Sequence, residues 1–546
     1  MPVSMSAGSP PLTEIRPSVV REAALAAVAA AIVSAVLAWA GPPGVDLAAH
    51  VYQRTLFLEH GLTLWNNFWY AGRYSFITYS LLYYPLAALL GIKVLAVSTI
   101  AVASLAFSVV AWREWGPSVR WSSRAFSVVW PGIVVSAAFP FALGAALAML
   151  ALWAAQARHL RRFALLALLA LAASPIAFVL LAVVLTALGI GRRVERRYLI
   201  RVALVICGLG LVELTLWRLF PSAGRYPFSG SELAAALVFC AIGGALTCRN
   251  ERAARIRYLF PLYAAACLAS YVVPSGLGEN IDRLRFMAIP LAVLVSSLRR
   301  WRPLPVSILA LGLAVLWNLS PLAANFAQAR SDPTATASYW TPAVGYLETH
   351  LSANYRVEVV DTVGHWEAVY LPRAGIPLAR GWFRQDDFPQ NAALYGRLGV
   401  HAYTSWLHRL GVGYVVLTSA PPDYSAKAEE DLIRSGRLPL RLVFATAQVR
   451  IYAVRSPRPL ITGPGRPRVT VLGDSSITIV VTTPGAYRLA VHASPYWHAT
   501  SGCVTAGSDG MIRLHAVAAG PIRLTFRLNA EGALNAIAGD SSDACR

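Results

Sequence analysis

The chain has 546 residues, too many for one core, and is 56% hydrophobic with only 14% charged residues, where soluble proteins carry roughly a quarter. That balance puts most of it in lipid and excludes an ordinary soluble enzyme. The formal net charge of +21 comes from short arginine clusters between apolar runs; no basic helix or aromatic-interleaved groove accompanies it, so no nucleic-acid partner is expected.

A bilayer core of about 30 Å takes about 20 apolar residues per helix, and shorter helices are tolerated inside a bundle. Residues 1–325 therefore predict a polytopic domain of about eleven spans. They lie near Val19 to Gly41, Tyr79 to Trp112 (a short interfacial helix, then a spanning one), Ala125 to Phe139, Phe141 to Ala157, Phe163 to Ala173 and Ile176 to Ile190. The rest lie near Tyr198 to Phe220, Leu233 to Thr247, Tyr258 to Val273, Phe286 to Leu298 and Leu304 to Leu322. With the N-terminus inside, alternate connections hold twenty arginines, Arg16 to Arg302, and the outer ones hold only Arg54, Arg73, Arg225, Arg283 and Arg285. Cytoplasmic loops carry the basic excess, so the expected topology has a cytoplasmic N-terminus and the C-terminal region outside a bacterial inner membrane. Arg16, Arg21 and Ala38-Trp39-Ala40 have the look of a signal peptide, but the length of the run and Pro42-Pro43 favour an uncleaved helix.

After Leu322 the pattern becomes that of folded soluble chain. Short strands are expected at Tyr355 to Asp361, Gly375 to Ala379, Gly413 to Thr418 and Leu440 to Phe444, with helices at Asn391 to Leu410 and Ser425 to Ser435. Residues 326–454 thus read as a small α/β domain and the Pro- and Arg-rich residues 455–468 as a linker. Alternating segments from Val469 to Leu528 predict an antiparallel β-sandwich over residues 469–546, with Trp497 seated in its core. Cys207, Cys240, Cys248 and Cys267 fall in or beside apolar spans and show no metal-ligand spacing. Cys503 and Cys545 lie in the outer region, where a disulfide between them is chemically allowed.

Chemistry could sit in three places. In the first outer loop Asp46, His50 and Arg54 are spaced i, i+4, i+8 and share one helix face. A carboxylate, an imidazole and a guanidinium there could deprotonate a hydroxyl and hold a phosphate, with Arg73 further on, or could form a merely solvated face beside an aromatic belt of Trp65, Trp69, Tyr70 and Tyr74. The second place is Glu279, Asp282, Arg283 and Arg285, pressed against a span; its arginines could clamp a lipid-linked phosphate or pair with the neighbouring acids. The third combines His365, Trp366 and Glu367 with Trp382, Arg384 and Asp386, rings and polar groups suited to sugar faces and equally to a buried turn. No Walker loop, G-x-S-x-G, HExxH, CxxC or Rossmann fingerprint occurs.

The outer D-x-x-x-H at Asp46 to His50, the H-G, Trp and Y-x-G that follow, and Y-Y-P at Tyr83 to Pro85 resemble the GT-C superfamily of membrane glycosyltransferases. H-W-E-A at His365, P-L-A-R-G-W at Pro377 and Y-V-V-L at Tyr414 resemble one bacterial and actinobacterial branch of it, labelled as membrane proteins related to 6-pyruvoyl-tetrahydropterin synthase. The resemblance covers most of the chain. The pterin label implies nothing for this chain, because no three-histidine zinc set can be assembled from it.

The resemblance implies inverting transfer of a sugar from a polyprenyl-phosphate donor to an envelope glycan or glycolipid outside the membrane, with Asp46 as general base and His50 and Arg54 assisting. Many superfamily members carry paired acids in this loop, whereas Asp46 has only Glu59 further on; that departure leaves a divalent metal cofactor open. Two other classes compete with it: a transporter or flippase of a lipid-linked or polar solute, for which Glu213 is the acid near a span, and a non-enzymatic envelope scaffold that binds glycan.

Overall fold

The computed structural model describes residues 17–191, 195–222 and 224–539. The chain opens with α1 (Pro17–Ala40). The first connection carries α2 (Leu47–His60) and a two-stranded ribbon, β1 (Trp65–Asn66) and β2 (Arg73–Tyr74). Then follow α3 (Tyr83–Leu90), α4 (Ile92–Trp115), α5 (Arg120–Val129), α6 (Ile133–Ser136), α7 (Phe139–Gln156), α8 (Leu160–Ala173), α9 (Pro175–Gly191), α10 (Arg196–Leu219), α11 (Gly230–Thr247), α12 (Leu259–Val272), α13 (Ala288–Leu298) and α14 (Leu304–Arg330). Among the described residues six helical runs are long and apolar enough to cross a membrane: α1, Ile92–Ser136, α7, α10, α11 and α14. The remaining predicted spans appear as shorter helices. The span expected at Ala125 to Phe139 is broken by a 3-10 turn at Trp130–Gly132, where Pro131 has no N–H to give to a helix.

Charged pairs mark one end of this bundle. Glu22 near the start of α1 accepts from Arg120 at 3.3 Å and Arg124 at 2.7 Å, and Glu114 at the end of α4 meets Arg255 at 3.2 Å. The opposite end carries the first connection and both C-terminal domains.

The α/β domain begins with α15 (Ala337–His350) and β3 (Arg356–Val359). It continues through α16 (Glu367–Arg373), α17 (Val400–Leu410), β4 (Val412–Thr418), α18 (Lys427–Arg434), β5 (Leu440–Ala445) and β6 (Val449–Val454). Its sheet order is β3-β4-β6-β5, parallel only between β3 and β4. The stretch Gly375 to Ala379, expected as a strand, makes only an isolated bridge of Val357 with Leu378. The Leu378 N–H is taken instead by the Phe68 carbonyl of the first connection at 2.9 Å.

The sandwich comprises β7 (Ile461–Thr462), β8 (Arg468–Leu472), β9 (Ser476–Val481), β10 (Gly485–His492), β11 (Trp497–Ala499), β12 (Cys503–Ala506), β13 (Met511–Ala516) and β14 (Gly520–Phe526), and α19 (Ala530–Ala538) follows it. Its two antiparallel sheets run β12-β13-β10-β7 and β11-β14-β9-β8, with Trp497 buried between them. Leu460 and Ile461 are fully buried in that core and β7 pairs with β10, so part of the stretch expected as linker belongs to the sandwich. The disulfide allowed between Cys503 and Cys545 falls on Cys545, which lies outside the described residues.

Candidate functional site

Asp46 stands where α1 turns into α2. The backbone of Val45 and Asp46 is tied to the Val135 and Ser136 carbonyls at 3.1 and 3.0 Å. Gly44 permits this approach, since a Cβ there would lie 2.4 Å from the Val134 carbonyl oxygen. Asp46 occupies the N-cap position of α2, but its carboxylate caps nothing and makes no hydrogen bond or ion pair among the described residues. It lines a cavity of about 470 Å³. Burial raises its pKa above the ordinary aspartate range, and the charges of Arg283, His365 and Arg384 oppose that rise.

The same cavity is lined by Arg283 and Asn280 from the 3-10 segment Gly278–Met287, by Tyr79, by Glu213 and Trp217 of α10, and by Trp382, Arg384 and Asp386 of the α/β domain. Arg283 donates to Asn280 Oδ1 at 3.1 and 2.8 Å and lies 5.0 Å over the Phe141 ring. It has no carboxylate partner among the described residues. The next arginine behaves differently: Arg285 is paired with both Glu232 and Asp282 and is not part of the lining. Glu279 and Asp282 are also outside it, and burial pushes the Asp282 carboxyl up to about 7 despite Arg285. The expected clamp of two arginines therefore resolves into one arginine facing the cavity and one holding the fold.

Arg283 and Phe141 also line a second, almost wholly apolar space of about 170 Å³ between α4, α7, α9 and α13. It follows α7 from Phe141 to Leu152, about 16 Å of helix at 1.5 Å per residue. Glu114 and Arg255 also line it, and those residues belong to the far end of the bundle. A cationic head position and an apolar slot along the spanning helices thus meet at one side chain.

The shared helix face of Asp46, His50 and Arg54 does not form a single site. His50 is fully buried, with Nδ1 3.2 Å from the Tyr84 hydroxyl and Nε2 2.9 Å from the Ala137 carbonyl. A carbonyl only accepts, so Nε2 carries the proton and Nδ1 accepts from Tyr84. Burial lowers the imidazole pKa to about 3, and this neutral ring does not reach the cavity. Arg54 donates from Nε to the Ala87 carbonyl at 2.7 Å. Both side chains fasten α2 to its neighbours, leaving Asp46 alone at the cavity.

Arg73 bonds Asp386 from Nε at 2.6 Å and stacks over Phe383 at 4.5 Å, which holds one wall in place. Arg384 donates to the Tyr395 hydroxyl at 2.8 Å and to Asp423 at 3.0 Å, and lies over Trp382 and Tyr424. Trp366 lines a neighbouring cavity of about 180 Å³ that shares Trp382 and Arg384. His365 and Glu367 line neither and lie buried behind Trp382. Tyr79, Asn280, Gln385 and Tyr424 also line the main cavity and were not singled out from sequence. Tyr79 precedes the Y-Y-P motif, Asn280 sits inside the Glu279 to Arg285 segment and Gln385 lies between Arg384 and Asp386, so all three lay in or beside motifs already marked; Tyr424 carried no such signal.

No protein-family model matches the chain, and no curated protein matches it. Among solved structures it is similar to the arabinofuranosyltransferase AftD from Mycobacteria, at 16% identity and a TM-score of 0.46, over 87% of this chain and 42% of that one. It is also similar to ArnT from Cupriavidus metallidurans bound to undecaprenyl phosphate, at 15% identity and a TM-score of 0.38, over 79% of this chain and 98% of that one. The chain spans less than half the length of the AftD chain.

Proposed function

We propose that this chain is a membrane glycosyltransferase of GT-C type, moving a sugar from a polyprenyl-phosphate carrier to a cell-envelope glycan or lipid acceptor on the outer face of a bacterial inner membrane. The carrying observation is that Asp46 and Arg283 line one cavity and that Arg283 also stands at the apolar slot. The polyprenyl tail takes the slot and its phosphate takes Arg283, whose guanidinium is not neutralised by any described carboxylate. Asp46 accepts the proton of the acceptor hydroxyl as its oxygen bonds to the sugar's anomeric carbon. The bond from that carbon to the phosphate oxygen breaks on the opposite face, inverting the centre, and the charge left on the lipid phosphate is held by Arg283. Trp382, Arg384 and Asp386 face the same space and suit sugar rings and hydroxyls.

Comparison of envelope glycolipids by mass spectrometry, in cells carrying the wild-type chain or Asp46→Asn, tests this. The variant removes the base and keeps the shape, so transfer falls by about 10²- to 10⁴-fold with expression and membrane insertion intact. Transfer at the wild-type rate rejects Asp46 as the base. The competing reading, movement of a lipid-linked solute, draws on Glu213, which faces the cavity from α10. Under that reading Asp46→Asn leaves the set of glycolipids unchanged, whereas Glu213→Gln alters only their distribution across the membrane.

A further inference from the structure

Behind the Trp382 wall lies a buried group of side chains for which sugar transfer has no use. Asp361 follows β3, His365 stands in the next turn, and Glu367 begins α16. One ligand atom from each of the three lies within 4.8 Å of the other two, and none of the three is more than 4% exposed.

The surrounding charge is unbalanced. Glu358, Asp361, Glu367 and Glu429 are four buried carboxylates, and the guanidinium among them is that of Arg380. It reaches Glu358 at 2.6 Å, Asp361 at 2.9 Å and Glu429 at 2.7 Å, and it does not pair with Glu367. The Glu367 carboxylate accepts from the Thr362 N–H at 3.1 Å and the Thr362 hydroxyl at 2.6 Å, which orients it without neutralising it. Buried carboxylates in excess of their cations are costly.

His365 supplies an independent sign of a ligand. It is 1% exposed, yet among the described residues neither ring nitrogen makes a hydrogen bond of good geometry. Nδ1 lies 3.5 Å from Glu367 Oε1 and Nε2 lies 3.9 Å from Asp423 Oδ1, both too far for a good hydrogen bond. The ring is fixed in this pose by stacking on Trp382, with centroids 3.5 Å apart and planes within 8°.

We propose that Asp361, His365 and Glu367 bind a divalent transition-metal cation with the ligand preferences of zinc. Ligands about 2.1 Å from a tetrahedral ion lie about 3.5 Å apart, which is the separation of His365 Nδ1 and Glu367 Oε1; the remaining pairs lie within 4.8 Å and need to close by at most about 1.3 Å. One imidazole with two carboxylates selects this class over calcium and magnesium, which prefer all-oxygen sets. The cation balances the carboxylates and locks His365 against Trp382, a wall shared by both cavities. Its place is structural, behind the Trp382 wall rather than in the lining of the cavity that holds Asp46.

The full-length protein is purified in detergent, stripped with a chelator, equilibrated with equimolar ZnCl2 and desalted, and its metal is measured by plasma mass spectrometry. The wild-type chain and Asp46→Asn retain a single zinc per chain, whereas Glu367→Gln and His365→Ala retain it about tenfold less tightly. With CoCl2 the wild type gains visible absorption bands of a tetrahedral site, and Glu367→Gln lacks them. Wild-type retention no greater than that of Glu367→Gln, as exposed histidines alone would give, overturns the proposal. Where His365→Ala does not fold, the near-isosteric Glu367→Gln and the cobalt spectrum decide. Because Asp46→Asn keeps the metal while losing transfer, a failed metal site and a failed transferase reading are separable.

Discussion

At the scale of single residues the proposed chemistry rests on Asp46, with Arg283 lining the same cavity. A general base works only when ionised, and burial raises the Asp46 pKa while Arg283 and Arg384 hold it back. The acid limb of kcat/KM therefore falls at a pH above the ordinary aspartate value of 3.8: activity is present above the raised pKa and lost as pH drops through it. A pH-rate profile measured with saturating lipid donor checks this, and an acid limb below 3.8 contradicts it. Arg283 and Arg285, two positions apart, separate by partner. Under the proposed mechanism Arg283→Ala removes a charge-assisted contact to the donor phosphate, worth about 1.5–3 kcal/mol, so the donor KM rises roughly tenfold to a hundredfold while thermal unfolding is little changed. Arg285→Ala strands the buried Asp282, whereas the half-exposed Glu232 is left to solvent; loss of one partner of a buried pair costs up to about 3–5 kcal/mol, so it lowers the unfolding temperature first. Donor titrations and thermal scans on both variants give this opposite pattern; the same loss in both variants argues against the division.

Elements decide what those side chains can reach, and here sequence and structure part in instructive ways. Hydrophobic run length made the long apolar helices legible, because lipid demands continuous apolar helix. The break at Trp130–Gly132 was hidden: Pro131 lies inside an apolar run and only packing shows where the helix yields. Helical spacing put Asp46, His50 and Arg54 on one face of α2, yet spacing cannot say what a face touches. Two of the three dock on α3 and on the turn before α7. In the third region Trp382, Arg384 and Asp386 reach the cavity, whereas His365 and Glu367, marked with them, turn into the core. The strands β9, β10 and β13 were legible, since their alternation is regular, but β7, β11 and β12 are too short for a period to register. The apolar slot was invisible to sequence, since small residues on α7 and α9 read only as helix. Ala148 lines it, and Ala148→Leu places extra methyl groups in the path assigned to the tail. With a long-chain polyprenyl donor, turnover falls about tenfold, whereas a donor truncated to a few isoprene units is used as before. The variant's own stability drops by about 1–3 kcal/mol at most, which a thermal scan separates from the kinetic effect; equal loss with both donors places the tail elsewhere.

Over the whole molecule, the first connection is the joint that holds three domains in register. Four aromatic residues within it, one reading of which was a belt at the bilayer surface, are buried instead between domains. Trp69 donates to the Ala368 carbonyl at 3.0 Å, and the Tyr70 hydroxyl meets the carbonyls of Gly381 and Phe383 at 3.0 Å, which pins the α/β domain over Asp46. Trp65 and Tyr74 reach the other way into the sandwich core. The Trp65 ring stacks on Phe526 with centroids 5.1 Å apart and meets Trp497 edge-on at 5.7 Å. Gly72, at φ +100°, leaves room for that ring, since a Cβ there would lie 2.7 Å from it. The sandwich is thus seated on the membrane domain by this short ribbon together with the end of α10, where Phe220 packs into the same core and the Leu219 carbonyl accepts from Tyr496 at 2.8 Å; Trp65 is the largest side chain that the ribbon contributes. Trp65→Ala removes a buried indole, about 3–5 kcal/mol of packing, at a junction where the sandwich's own sheets stay intact. The expected result is undocking without unfolding: residues 455–459, between β6 and β7, become the first site of limited proteolysis and release a stable sandwich fragment. Sugar transfer falls with it, because the ribbon that loses its anchor also carries Arg73, the partner of Asp386 in the cavity wall. Trp497→Ala, made within the sandwich core, instead degrades the fragment itself. A Trp65→Ala chain as resistant to protease as the wild type, with transfer unchanged, would mean that the domains are held in place by contacts other than this ribbon.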